Sequence, residues 1–410
     1  MYALFIGYAV FYFVRKNLSA STPAIIEEFG YTKTQIGALW SMLYLIYGFG
    51  KFGMGVIGDR ANPRFFMAMG LLMSAVMNIL FGLSSSLLFF SIFWALNGMF
   101  QAMGWPPCAR SLTQWYSARE RGTYWGIWNA SHQVGGAIIL ALAAWLTEHY
   151  GWRMSFFIPA AIAIATALFL VNRLRDTPTS LGLPPIEEYK NDPTGEKEVE
   201  SGALSTREIL WENVLRNKYI WALALGNFFV YIVRYGAMDW APAFLVEVKG
   251  ANIQSAGFKV ASFEVTGILG AFIAGYVSDR FLKGRRGPLN VLYMTLLAGS
   301  VALFWLTPPD SHWLDYLTLS AVGFLVYGPQ MLVGVSAADV VSKNAAATAT
   351  GFTGMGGYLG GIVAGIGAGA ILDKWGWDGG FKFFIACALL GALCFGMTWK
   401  KSARKNGSAA

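Results

Sequence analysis

Charge is scarce in this sequence. Asp, Glu, Lys and Arg make up 13% of 410 residues, against 55% apolar residues, and that balance cannot wet the surface of a water-soluble domain. Cysteine is scarcer still: Cys108, Cys387 and Cys394 stand without metal-ligand spacing or an even-numbered framework. No disulfide scaffold or metal site is expected, and the three read as packing residues. There are three histidines, and only His132 falls inside an apolar run. The N-terminus lacks a basic n-region and a small-residue cleavage site, so no cleaved leader is expected. A first span opening at Met1 without a polar flank reads as a trimmed start.

What abounds is apolar sequence. Hydropathy and periodicity give twelve candidate spans, at 3–24, 36–57, 66–84, 88–112, 123–145, 155–172, 219–243, 256–278, 288–307, 313–337, 346–370 and 380–400. The net charge of +8 does not indicate nucleic acid, because the basic residues gather in alternate loops: Arg60 and Arg64; Arg110, Arg119 and Arg121; Arg173 and Arg175; Lys283, Arg285 and Arg286; Lys400, Lys401, Arg404 and Lys405. The intervening loops carry Glu27, Glu28, Glu148, Asp310 or Asp373. This positive-inside pattern predicts a multi-pass protein of the lipid bilayer with both termini cytoplasmic. Residues 174–218, with Pro178, Pro184, Pro185 and Pro193, are too polar to span and read as a cytoplasmic linker, its end at 205–218 suited to a short amphipathic surface helix. The predicted organisation is a six-helix half at 1–173, the linker, a second six-helix half at 219–402 and a cytoplasmic tail at 403–410.

Two arginines interrupt the apolar runs, Arg15 in Tyr12-Phe-Val-Arg15-Lys16-Asn17 and Arg234 in Tyr231-Ile-Val-Arg234-Tyr235. A guanidinium near the middle of a bilayer costs about 3 kcal/mol on insertion scales, so such residues face a polar interior and bind something. Snorkelling to the headgroups fits Arg234 poorly, because a helix opening near Tyr219 places it roughly 22 Å into a span. Each arginine is followed by a glycine-rich latch, Gly55-Val-Ile-Gly58-Asp59-Arg60 and Gly275-Tyr-Val-Ser-Asp279-Arg280, with Asp59 standing 44 residues after Arg15 and Asp279 45 after Arg234. Gly151-Trp152 is echoed by Gly376-Trp377. The chain therefore reads as a duplicated unit, two parallel halves with a site between them, as transporters are built.

Around the arginines the polar residues keep helical register. Tyr8, Tyr12 and Arg15 fall on one face, as do Tyr44, Tyr47 and Lys51. The tyrosines read as cavity lining or as packing, and Lys51 as a ligand or an ion-pair member. Lys16, on another face, is a candidate partner for an acid. Asn129 and His132 share a face, and His132 reads as a ligand donor or a satisfied core histidine. Asp239 and Glu264 are buried carboxylates that need partners among Lys16, Lys51, Arg15 and Arg234, an exchangeable set of ion pairs. Consecutive prolines in Gly104-Trp105-Pro106-Pro107-Cys108 imply a kink. Tyr327-Gly-Pro329 adds another, and Tyr358 lies in a glycine-rich run where most small residues serve packing.

With Tyr12-Phe-Val-Arg15-Lys16-Asn17, Tyr47-Gly-Phe-Gly-Lys51-Phe, Met103-Gly-Trp-Pro-Pro-Cys108, Trp128-Asn-Ala-Ser-His132, Gly182-Leu-Pro-Pro-Ile-Glu-Glu-Tyr-Lys-Asn-Asp192, Arg234-Tyr-Gly-Ala-Met-Asp-Trp240 and Gly376-Trp-Asp-Gly-Gly-Phe381, the whole chain resembles the organophosphate:phosphate antiporter family of the major facilitator superfamily. Within it, glycerol 3-phosphate carriers are the nearest likeness. The resemblance implies an all-α membrane fold of twelve transmembrane helices in two pseudo-twofold-related halves, in a bacterial inner membrane, as a monomer. It implies that Arg15 and Arg234 grip the phosphate of an organophosphate or inorganic phosphate, with His132 as a further donor. Lys51, Tyr8, Tyr12, Tyr47, Tyr231, Tyr327 and Tyr358 match its cavity positions, and Lys16, Asp239 and Glu264 its ion-pairing positions. Exchange by alternating access is the implied function, with no cofactor and no ATP site.

The substrate is open between two esters. Some hexose-phosphate carriers of the family have an acid and a lysine where Thr350 and Thr353 stand here, and their absence favours glycerol 3-phosphate. The first half also resembles the related hexose-phosphate sensor, so a receptor that binds without transporting is a competing reading. An enzyme is not expected, since phosphatase chemistry needs an activated nucleophile or a metal cluster, and a lone His132 supplies neither.

Overall fold

The computed structural model describes residues 1–191, 211, 214–282, 284–309, 311–341 and 345–400. The centre of the expected linker, most of the expected surface helix at 205–218 and the 403–410 tail lie outside the described residues. So do the side chains of Asp59 and Arg60.

Among the described residues the regular structure is helical. The first series is α1 (Tyr2–Phe29), α2 (Lys33–Arg60), α3 (Pro63–Leu83), α4 (Leu87–Gln101), α5 (Trp105–Trp115), α6 (Ala118–Asn129), α7 (Ser131–Tyr150) and α8 (Met154–Arg173). The second is α9 (Lys218–Glu247), α10 (Ile253–Arg280), α11 (Arg286–Leu306), α12 (His312–Asp339), α13 (Ala346–Ile362) and α14 (Ala368–Gly396), the last two joined by a π turn. Nine helical runs among the described residues are long and apolar enough to cross a membrane. They cover the third to the twelfth expected spans, the last two as one run, Thr348–Gly396. α1 and α2 are each 28 residues, roughly 42 Å, and carry the charged stretches around Arg15 and Lys51.

Local chemistry sets the breaks. Asn62 caps α3 through its side chain, which accepts from the Arg64 amide at 3.0 Å, with Pro63 in the first turn where no N–H is needed. The expected Pro-Pro kink takes the form of a helix restart: α4 stops at Gln101, and Pro106 and Pro107 sit in the first turn of α5. The chain breaks again at Ala130, between α6 and α7. α1 is bent at Val14, whose φ of −96° and ψ of 18° are not helical.

The chain clusters into two compact units. Unit 1 comprises Met1–Tyr31, Met42–Ser201 and Asn252–Ala261; unit 2 comprises Thr32–Ser41, Gly202–Ala251 and Ser262–Ala410. The opening turns of α2 thus belong to unit 2, and those of α10 to unit 1. Both are held by carboxylates that cap their first amides. In unit 2, Asp373 accepts from the Lys33 and Thr34 amides at 3.0 and 2.8 Å. In unit 1, Glu148 accepts from the Ile253 amide at 3.0 Å. Further along α2, Ser41 Oγ donates to the Ile362 carbonyl at 2.7 Å and accepts from the Ile366 amide at 2.8 Å.

Each core is aromatic. In unit 1 Phe81 stacks between Phe90 and Phe156 at 4.4 and 4.5 Å, and in unit 2 Phe244 packs on Phe381 and Phe304 at 4.6 and 5.3 Å. The Gly-Trp echo marks a duplicated clasp. Gly151 and Gly376 take positive φ (85° and 64°), a conformation that favours glycine, and each turns the chain so that the next residue, Trp, reaches a carboxylate. Trp152 Nε1 donates to Glu28 at 2.7 Å in unit 1, and Trp377 Nε1 donates to Glu247 at 3.0 Å in unit 2. Glu28 and Glu247 each stand thirteen residues after their arginine (28 − 15 and 247 − 234). A cation completes each clasp, Arg153 on Glu28 and Lys33 on Glu247, both at 2.9 Å.

Candidate functional site

In unit 1, Arg15 lies on α1 just past the bend and is 6% exposed. Its guanidinium carbon sits 4.3 Å from the ring centre of Tyr47, 5.5 Å from Tyr12 and 5.8 Å from Tyr44. The helical spacings account for this, since Tyr12 shares the α1 face of Arg15 and α2 presents Tyr44 and Tyr47 from one face. Ring faces attract a desolvated cation by up to about 2 kcal/mol each, without accepting its in-plane N–H groups. The rings continue outward, with Tyr8 against Tyr12 at 5.9 Å and against Trp128 at 4.8 Å, and Tyr12 against His132 at 5.5 Å.

His132 sits just past the α6–α7 break and is hydrogen-bonded through Nδ1 to the Asn129 carbonyl. The two residues expected on one face are therefore joined through the backbone, while the Asn129 side chain is exposed. With the proton on Nδ1, Nε2 accepts in the neutral ring and donates only in the imidazolium form. Lys16 donates to the Tyr44 hydroxyl at 3.2 Å. Lys51 lies over the Trp105 ring at 4.8 Å.

In unit 2, Arg234 is 3% exposed and its guanidinium carbon is 4.7, 5.1 and 5.7 Å from the ring centres of Tyr327, Tyr235 and Tyr231. Tyr231 in turn meets Tyr358 at 5.8 Å. Arg234 Nη2 donates to the Tyr327 hydroxyl at 2.8 Å, and that hydroxyl donates to Glu264 at 2.5 Å. A phenol thus bridges the arginine and the carboxylate. Arg234 Nε is buried without an acceptor among the described residues. Asp239, on α9, is 2% exposed.

The second latch is built around Arg286. It pairs with Asp339 at the end of α12 and reaches Asp279 at 3.8 Å, joining the ends of α10, α11 and α12, while Arg280 is exposed. Sequence reasoning passed over three buried amides close to Arg15, namely Asn78, Asn97 and Gln101. Amides inside otherwise apolar runs were the available signal, Asn97 and Gln101 one turn apart on α4, but uncharged side chains at that spacing leave the hydropathy of a span almost unchanged.

The Major Facilitator Superfamily model matches residues 4–365. A probable hexose phosphate transport protein of Chlamydia pneumoniae is 45% identical, the match covering all of this chain and 92% of that protein. The glycerol-3-phosphate transporter of Bacillus subtilis is 43% identical over 98% of this chain and 92% of its own length. The membrane sensor protein UhpC of Salmonella typhimurium is 41% identical over 95% and 88%. In structure, a bacterial homolog of the human lysosomal transporter Spinster, inward-facing and occupied, aligns over 97% of this chain and 95% of its own with a TM-score of 0.77 at 18% identity; this likeness concerns the fold alone. The protein is therefore a multi-pass membrane protein with the all-α major facilitator fold, and it belongs to the organophosphate:phosphate antiporter family of that superfamily.

Proposed function

We propose that the protein exchanges glycerol 3-phosphate for inorganic phosphate by alternating access, with Arg15 and Arg234 binding the phosphoryl group. The observation that carries this reading is a buried arginine in each unit, its guanidinium set among tyrosine rings. A phosphate offers what rings do not, oxygen acceptors matched to the planar fork of guanidinium donors. When a phosphate oxygen takes the donor that Arg234 now gives Tyr327, the Tyr327–Glu264 bond remains to satisfy the carboxylate. His132 adds a donor as imidazolium, or accepts from a protonated phosphate oxygen when neutral. Lys51, Tyr8, Tyr12, Tyr47, Asn129, Tyr231 and Tyr358 line the path of the substrate in this reading. Lys16, Asp239, Glu264 and the two latches, Asp59–Arg60 and Asp279–Arg280, govern the movement of the halves. We place the carrier as a monomer in a bacterial inner membrane with both termini in the cytoplasm.

Two observations bear on the ester. Thr353 Oγ1 donates to the Thr350 carbonyl at 3.0 Å and Thr350 Oγ1 to the Gly334 carbonyl at 3.4 Å, so these hydroxyls are engaged by backbone, which favours the smaller substrate. The similarity to a probable hexose phosphate carrier is as high as that to a glycerol 3-phosphate carrier, and hexose 6-phosphate is the second reading.

Reconstitution in phosphate-loaded vesicles, with uptake of labelled glycerol 3-phosphate and glucose 6-phosphate followed side by side, decides the matter. Glycerol 3-phosphate should enter only when phosphate is inside. Arg15→Lys and Arg234→Lys should each reduce exchange by about 10- to 150-fold, since a lost charge-assisted hydrogen bond costs about 1.5–3 kcal/mol. Near-normal exchange in either variant overturns the phosphate assignment. Binding of both esters with no countertransport would make the protein a sensor.

A further inference from the structure

The bend in α1 has a local cause. Val14 stands immediately before Arg15, with non-helical angles in a helix whose only proline, Pro23, is nine residues further on. Bends away from proline arise where a polar group enters the hydrogen-bond ladder, and three side-chain amides enter here. Asn78 Nδ2 on α3 and Asn97 Nδ2 on α4 both donate to the Val14 carbonyl, at 2.9 and 2.8 Å. Gln101 Nε2, one turn further along α4, donates to the Phe11 carbonyl at 3.0 Å.

These are the carbonyls that, in a straight α-helix, would accept from the amides of Leu18 and Arg15. The second of those amides belongs to the arginine itself. The set is anchored in turn: Asn17 Nδ2 donates to Asn78 Oδ1 at 2.9 Å and to the Ser155 carbonyl at 3.0 Å, and Asn78 Nδ2 also bonds the Ser74 carbonyl at 2.9 Å. Asn17, Asn78 and Asn97 are 0% exposed and Gln101 is 3% exposed. Polar groups this deep in an apolar unit are costly unless paired, and what they pair with is the backbone one residue and one turn before Arg15. Unit 2 achieves the same end differently, since α9 keeps helical angles through Arg234 and the Tyr327 hydroxyl fixes the guanidinium.

We infer that Asn78, Asn97 and Gln101 are positioning residues for Arg15: they hold α1 in the bend that aims its guanidinium, and so set the affinity of that arginine for a phosphoryl group. This rests on the reading that Arg15 binds phosphate. A merely structural role, tying α1 to α3 and α4, would lower stability and leave phosphate affinity alone.

The test uses the purified full chain and inorganic phosphate, with binding read as the rise in thermal midpoint as phosphate is titrated. Arg15→Lys should lose most of that rise; if it keeps the parent's response, the reading of Arg15 fails first. With that loss established, Asn97→Ala and Gln101→Ala should each need about ten times more phosphate for the same rise, the worth of one hydrogen bond. Adding Asn97→Ala to Arg15→Lys should weaken the response no further. Should an alanine variant fail to fold, Asn97→Leu and Gln101→Met fill the volume without a donor and are read the same way. Variants with a lowered ligand-free midpoint and the parent's phosphate affinity, or effects that add to Arg15→Lys, overturn the inference.

Discussion

A phenol placed between an arginine and a carboxylate changes what each charge costs to bury. Glu264 is 0% exposed, and a carboxylate stripped of water needs donors; Tyr327 gives one and at the same time accepts from Arg234. Tyr327→Phe keeps the ring beneath the guanidinium and removes that hydroxyl. We expect it to lower the thermal midpoint by an amount corresponding to about 1–3 kcal/mol, the cost of leaving a buried polar group unsatisfied. Added phosphate should restore only part of the loss, since it offers an acceptor to Arg234 and no donor to Glu264. Unfolding curves with and without phosphate check this, and a variant as stable as the parent would remove the hydroxyl from the account. At this scale the sequence was half legible. Tyr12 and Arg15, and Tyr44 and Tyr47, could be placed from helical spacing because the partners share a helix. Tyr327 lies 93 residues from Arg234 and 63 from Glu264, and no local pattern announces such a link. The amides around Val14 escaped for a related reason, since one uncharged side chain per turn hardly alters the hydropathy of a span.

Among the elements, the duplicated clasp shows what a repeat preserves. The arginine, the glutamate thirteen residues on and the indole recur, and the cation alone changes its origin: Arg153 follows Trp152 directly, whereas Lys33 comes from the first turn of α2. The Gly-Trp echo was visible in the sequence, but its partner glutamates were not, because each acid lies 124 or 130 residues from its indole and no local pattern joins them. Burial alone would push the Glu28 carboxyl up; the Trp152 indole and Arg153 outweigh it and hold the group below the usual carboxylate range. A carboxyl lowered on folding contributes stability above its unfolded value and loses it as pH falls through the folded value. Trp152→Phe, which keeps the ring and removes the N–H, should therefore melt below the parent at neutral pH, with the gap closing as the solution is acidified to about pH 4 and below. A gap that widens with acid would mean that the indole holds something other than the ionised carboxylate.

For the whole molecule, composition and charge placement were enough to predict an all-helical membrane protein, and the internal repeat was enough to predict its duplication. Membership of the compact units was not legible. Periodicity describes α2 as one helix, and nothing in its sequence says that Thr32–Ser41 clusters with unit 2 while the remainder clusters with unit 1. That division has a consequence in time. Asn252–Ala261 joins unit 1 after the rest of that unit has been made, but the opening of α2 must wait for Ile362–Asp373, roughly 330 residues later. At about 5–20 residues per second of synthesis, the wait is on the order of 15–70 s, long enough for an insertase or chaperone to hold the segment. Ribosome-bound chains arrested near residue 300 should leave a Ser41→Cys thiol open to a small maleimide, and chains arrested after residue 400 should protect it. Equal labelling at both lengths would mean that α2 finds its place unaided; otherwise its opening turns are the last part of the first half to fold, although they are among the first to be made.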